Sequence, residues 1–553
     1  MKANKWMLTL AAVLLMAAVA VTGVCETLTG EADGFGGAIQ AVVTVEDGKI
    51  TALELTGKDE TPAIGGAALE PLKEAILAAG TVDGVEAVSG ATWTSNGVFE
   101  AVRSAMGEET AEAETEVAAV IASALSHGIG VVSTPRLGPG KDAQEVGVYS
   151  FNEVVAYVVV DSEQRIADLE VDVLEIITPN HDEPNDGDNF LAGWPGQAYN
   201  SDAEGDGVIE GQLEETEEIF TEETGSWLTK REKGSAYKMN SGTWEGEMDI
   251  YERFFVGKTV EEIRAWNEKY CSSLNGRPVS AASKKDEDIA KYNALTDEEK
   301  ALCDAISGAT MSLTDPHGDI LAAIAKAVEN ATPIENVTAI AKTGLGIDVM
   351  PRLGPGKDDQ EVPCYSITVA VAGACYDAEG KVVALKADVL EIITPNHDGA
   401  HDNAFTGWPG QAYNADGDAD GKVEAVWEQT EESFTEQVAA FRTKRDLGGA
   451  YKMNSGTWAD EMNAYEAAMT GKTTEEITAW FEACFSDLNG RALRGTSTKD
   501  ADVAKYGALT DAQRAEMDAL SCATMSLRDG HGDILGAIEK ACANAKAVEI
   551  TVE

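Results

Sequence analysis

The sequence predicts an α+β protein of three modules, each a small antiparallel sheet packed by helices. Three observations carry the prediction. Apolar residues alternate on either side of short turns, as antiparallel hairpins require. Each hairpin is followed by a segment whose apolar residues share a helical face, such as Ile320, Leu321, Ile324 and Val328. Long blocks recur letter for letter in the second and third modules, which reads as a tandem duplication. A length of 553 residues suits three or four domains at about 150 residues each. With 44% hydrophobic residues the chain can form packed cores, which excludes global disorder.

Taken in order, residues 1–25 open with Lys2 and Lys5 and continue as an uncharged, mainly apolar run from Trp6 to Val24. This is the pattern of a signal peptide or an N-terminal anchor. Cleavage after Ala20 or Gly23, retention in the membrane and lipidation of Cys25 all stay open, although Val24 stands where a lipobox has a small residue. The chain beyond Cys25 is expected to be exported, at the cell surface, membrane-anchored or extracellular.

The first module, 26–107, has strands expected at Ile39–Glu46 and Lys49–Leu55 around Asp47-Gly48, a strong two-residue hairpin signal. A helix is expected at Gly97–Met106. Residues 108–116 are acidic and Ala-rich and read as a linker. The repeats occupy 117–330 and 337–553, with a linker at 331–336 that contains Pro333. The block Pro135 to Lys141 recurs at Pro351 to Lys357, and Asp172 to Asp182 at Asp388 to Asp398. Gly193 to Asn200 recurs at Gly407 to Asn414, Ala236 to Trp244 at Ala450 to Trp458, and Ala309 to Leu313 at Ala523 to Leu527. In repeat 2 a hairpin is expected from Ser366–Tyr376 and Lys381–Leu390; in repeat 1 the equivalent turn falls at Asp161 to Gln164. Helices are expected over Thr216–Lys230 and Thr259–Tyr270, and closing helices at Gly318–Val328 and Gly532–Ala545, with Asp315 and Asp529 as N-caps.

The charge is strongly acidic, 96 Asp plus Glu against 42 Lys plus Arg, net -54. Such a surface repels phosphate backbones and excludes nucleic acid as a partner. The eight cysteines form no CxxC pair, which excludes zinc ribbons and thioredoxin-like motifs. No nucleotide P-loop, GxGxxG or GxSxG elbow is present, so no catalytic residue or metal ligand is assigned.

A short pattern recurs near each closing helix: Ser89-Gly90-Ala91-Thr92, Ser307-Gly308-Ala309-Thr310 and Ser521-Cys522-Ala523-Thr524. An acidic residue, Glu86, Asp304 or Asp518, stands six positions before each Thr. Small side chains let another molecule approach the backbone, and a helix N-terminus favours an anion such as phosphate.

On these residues the first module resembles the FMN-binding domain family, from Gly36-Gly37 through Asp47-Gly48-Lys49-Ile50 to Val88–Gly97 and Ala101-Val102. That family includes the C subunit of the sodium-pumping NADH:quinone reductase and surface flavoproteins of extracellular electron transfer. The resemblance implies that a separate flavin transferase moves FMN from FAD onto the hydroxyl of the last Thr, forming a phosphoester. It carries over to Thr92, Thr310 and Thr524, with Cys522 departing from the motif's Gly. It also implies a membrane or extracellular redox partner. The leading reading is an exported flavoprotein that relays electrons through covalent FMN. A surface ligand-binding protein whose repeats have lost flavin, and a reductase of an extracellular acceptor, are the alternatives.

Around the flavin, Trp93, Trp194, Trp408, Trp244 and Trp458 are candidates for stacking, with core packing as the competing reading. His181, His397, His317 and His531 suit capping and hydrogen bonding better than metal binding. Asp416 to Glu424, and Asp202 to Glu210, resemble the opening of a calcium loop without its terminal Glu.

Overall fold

The computed structural model describes residues 26–552 apart from 34–37, 47–48, 59–64, 83–84, 86–87, 89–90, 107–118, 143–145, 182–187, 202–210, 240–241, 307–308, 359–361, 398–402, 416–424, 452, 454–455 and 521–522. The leader 1–25, the linker 108–116 and both calcium-like loops therefore lie outside the described residues. The chain divides into two compact units, Met1–Thr115 and Glu116–Glu553. The fold is α+β, with antiparallel sheets packed by helices.

In the first unit β1 (Glu26–Asp33), β2 (Ala38–Glu46) and β3 (Lys49–Gly57) form an antiparallel sheet in that order. Glu46 pairs with Lys49, which leaves two residues for the turn. Alternation puts Ile39, Ala41 and Val43 of β2 into the core. They pack with Leu72 and Ile76 of α1 (Gly65–Ala79) and with Val98 and Val102 of α2 (Thr92–Ala105). β1 crosses α2 so closely that a Cβ on Gly30 would lie 2.2 Å from the Ala101 carbonyl oxygen.

The second unit holds both repeats. In repeat 1 the strands Leu125–Lys141, Gly147–Asp161 and Ile166–Ile177 form an antiparallel meander. Repeat 2 repeats it with Ala339–Lys357, Pro363–Tyr376 and Val382–Ile393. One face of each sheet carries its own helices. Val154, Ala156 and Val158 pack on the helices Trp244–Phe255 and Ile320–Glu329, and Ala370, Ala372 and Ala374 on Trp458–Met469 and Ile534–Ala543. The other faces meet each other: Phe151, Val155, Tyr157 and Val159 share one core with Ile367, Val369 and Val371. The layers therefore run helices, sheet, sheet, helices.

The seam between the repeats is reciprocal. Trp194 Nε1 donates to the Phe405 carbonyl at 2.6 Å, and Trp408 Nε1 to the Leu191 carbonyl at 2.6 Å. Gln197 Nε2 donates to the Thr406 carbonyl, and Gln411 Nε2 to that of Ala192. At one point the symmetry breaks usefully. Tyr157 and Gly373 are equivalent positions, and a Cβ on Gly373 would lie 2.1 Å from the Tyr157 ring. Repeat 1 supplies a knob where repeat 2 supplies a hole. The stretch 331–336 joins this body: Thr332–Pro333 pairs with His127 and Ser126, and Ile334 is buried.

The closing helices of the repeats begin later than expected. Their N-caps are Asp319 and Asp533, not Asp315 and Asp529, and their first residues are Ile320 and Ile534. Thr314–Asp315 instead pairs with Gly318–Asp319, and Arg528–Asp529 with Gly532–Asp533, as two-residue ribbons. Gly318 at φ 141° and Gly532 at φ 129° have backbone no helix can continue.

Candidate functional site

The three Ser-x-Ala-Thr turns occupy two different settings. In the first unit Thr92 is the first residue of the fourteen-residue helix α2. Ala91 stands at its N-cap and brings no side-chain acceptor to the orphan N–H groups. The turn is braced from within, because Ser95 donates to the Ala91 carbonyl at 2.8 Å and accepts from the Val88 N–H at 3.0 Å. A helix N-terminus preceded by small residues fits a phosphate ester. Glu86, Ser89 and Gly90 lie outside the described residues.

In the repeats, Thr310 and Thr524 lie ten residues ahead of the closing helices. A buried carboxylate already sits at each turn. Glu247, from the helix Trp244–Phe255, accepts from the N–H of Thr310 at 2.7 Å and of Met311 at 2.8 Å, and from Thr310 Oγ1 at 3.0 Å. Glu461 does the same for Thr524 and Met525, at 2.5 Å, 2.9 Å and 3.0 Å. Both glutamates are almost wholly buried. A phosphoester on either hydroxyl would set a second anion against a desolvated first one, and the two would repel strongly. Ala309 and Ala523 are buried under the turns, and Asp518 is exposed on the preceding helix. Ser307, Gly308 and Ser521 lie outside the described residues, as does the side chain of Asp304.

Beside Thr310 a cavity of about 210 Å³ opens. Its walls include Lys230, Tyr237, Trp244, Arg277 and His317. The recurring sequence blocks converge behind it. Lys230, only 2% exposed, pairs with Glu175 at 3.1 Å, and Arg136 reaches the same carboxylate at 3.2 Å. Burial alone would raise the Glu175 carboxyl, but the two cations outweigh it and hold it at about 2. Lys230 also donates to the His317 carbonyl and lies 5.2 Å from the centre of the Tyr237 ring. Repeat 2 builds the same cluster from Lys444, Glu391, Arg352, His531 and Tyr451, with ion pairs of 3.1 Å and 3.1 Å.

The remaining candidates take structural places. Trp194 and Trp408 are fully buried at the seam between the repeats. Trp244 and Trp458 begin their helices under the guanidinium groups of Arg231 and Arg445. His181 bonds Asp188 at 2.9 Å, and His531 bonds Asp529 at 2.9 Å and Arg352 at 2.8 Å. Among the described residues no three His, Cys, Asp or Glu gather into a metal cluster, and no helix is long and apolar enough to cross a membrane. Sequence reasoning missed Glu247 and Glu461. Their one signal was position: both stand three residues past the shared block that ends at Trp244 and Trp458.

Comparison with known proteins agrees with the first unit. Residues 34–107 match the family model of the FMN-binding domain. The chain thus carries an FMN-binding domain of the family it resembles. A chlorophenol reductase from Desulfitobacterium hafniense is 31% identical over 222 residues, which is 38% of this chain and 58% of that protein. The chain thus spans under two thirds of that relative's length.

Proposed function

We propose that this chain is an exported, cell-surface flavoprotein that carries electrons on an FMN held at Thr92 by a phosphoester. The observation that carries the reading is the FMN-binding domain at 34–107, with its Ser-Gly-Ala-Thr turn leading into α2. A separate flavin transferase supplies the FMN from FAD, and a membrane or extracellular redox partner exchanges electrons with it. When bound, the flavin supplies the redox chemistry; the protein holds its phosphate at the helix N-terminus and positions the ring. The relative's name, a reductase, is in keeping with a redox role.

The buried Glu247 and Glu461 support one flavin per chain rather than three. On this reading the first unit bears the flavin and the second binds a ligand or partner. A relay through flavins on Thr310 and Thr524 drops out of the proposal. The test is intact-mass spectrometry of the full chain after co-expression with a flavin transferase. One FMN adduct is expected, and none in Thr92→Val. Three adducts, or an adduct surviving in Thr92→Val, overturns the reading. Export is checked by adding protease to intact, wall-stripped cells, where the chain is expected to be cut.

A further inference from the structure

We propose that each repeat of the second unit binds a small aromatic carboxylate in the cavity walled by Lys230, Tyr237, Trp244, Arg277, Thr310 and His317, giving two sites per chain. This does not depend on the flavin reading, since it concerns only the second unit.

Retention is the first argument. Every described residue that lines the cavity recurs unchanged in repeat 2, where Lys444, Tyr451, Trp458, Arg491, Thr524 and His531 stand for the six named. The core strand beside it has drifted: Val154, Val158 and Val160 are replaced by Ala370, Ala374 and Tyr376, all buried. Packing tolerates such exchange when overall volume is accommodated. It does not account for two cations, a histidine and two aromatic rings staying fixed on separate segments of both repeats.

Charge is the second argument. The described lining residues include Lys230, Arg277 and His317 and no carboxylate, in a chain of net charge -54. Lys230 is matched by Glu175. Arg277 is exposed, and among the described residues no carboxylate lies within ion-pair distance of it. Its guanidinium is the charge left over for a ligand, and its planar fork pairs a carboxylate through two parallel hydrogen bonds.

Shape is the third. Tyr237 and Trp244 stand in its walls with Val173 and Ile320, among polar groups that make up the larger part of its surface. A cavity of about 210 Å³ accepts one ring with its acid group directed to Arg277.

The test is calorimetric titration of the full-length chain with benzoate. Saturable binding at two per chain is expected, with cyclohexanecarboxylate and benzamide each weaker by about ten-fold or more, since one lacks the ring's π face and the other the charge. Arg277→Gln should leave one site and the double variant with Arg491→Gln none, both with unchanged thermal unfolding because these side chains are exposed. Absence of saturable benzoate binding overturns the proposal, as does undiminished binding in the double variant. Riboflavin displacing benzoate from both sites also overturns it, by making them flavin sites.

Discussion

At the scale of single residues, buried carboxyl groups decide the behaviour of the second unit. Glu153 is fully buried in the strand Gly147–Asp161, and Ser133 donates to it at 2.5 Å. Burial pushes its carboxyl up to about 7, against the lowering effect of Ser133 and Lys326. A carboxyl raised in the folded state binds its proton more tightly there than in the unfolded chain. Stability is then full below the unfolded pKa near 4.5 and falls as pH rises toward 7. Glu153→Gln keeps the shape and removes the charge. It should stabilise the second unit by up to about 3 kcal/mol at pH 8 and by almost nothing at pH 4. Urea unfolding at the two pH values checks this; an equal gain at both would refute it. Removing Glu247 has the opposite effect on stability, through its hydrogen bonds. Glu247→Ala strands two backbone N–H groups and the Thr310 hydroxyl, and should cost about 3 kcal/mol, read from the same urea midpoints.

At the scale of elements, close approach between strand and closing helix recurs throughout. A Cβ on Gly130 would lie 2.4 Å from the Ala323 carbonyl oxygen, and one on Gly346 2.1 Å from that of Ala537. Backbone on both sides gives no room to yield, so Gly130→Ala should lower the melting temperature by several degrees, about 2 kcal/mol or more. Calorimetry of the full chain measures it. The elements were legible where their signals were clear: the strands around Asp47-Gly48 and around Asp161 to Gln164 lie where the turn residues put them, and the helix after Thr259 where its capping residue does. The cap at Asp319 was not legible. Asp315-Pro316 reads as a good helix start, and only the ribbon pairing of Asp315 with Gly318 displaces it. The sheet-on-sheet face was half legible. The run Val154 to Val160 lacks alternation, which means both faces are covered, but not that the second cover is another sheet. The recurring blocks pointed to a site, yet Glu175, Lys230 and Arg136 lie on three distant segments that only the folded chain unites.

For the molecule as a whole, the seam between the repeats behaves as an interface between unlike partners. Its reciprocal Trp and Gln bonds would serve two identical copies equally well. Tyr157 against Gly373 would not: two copies of repeat 1 set Tyr on Tyr, and two of repeat 2 leave a void. Repeats produced as separate polypeptides and mixed should therefore assemble as mixed pairs in preference to like pairs. Native mass spectrometry of the mixture decides this, and equal amounts of like and unlike pairs would count against it.

The short parallel pairing of Val120–Ala122 with Ile550–Val552 sets an order of events in time. Val120 is among the first residues of the second unit to leave the ribosome, and its partner is among the last. Until Lys546–Val552 is made, the strand Ala339–Lys357 has a bare edge and Val120–Ala122 has nowhere to dock. Each repeat can gather its local hairpins and helices early, whereas the final sheet waits on a contact of the longest sequence separation, the slowest kind to form. A nascent chain stalled short of residue 546 should consequently stay open to proteases and chaperones, and release of those few residues should act as the latch.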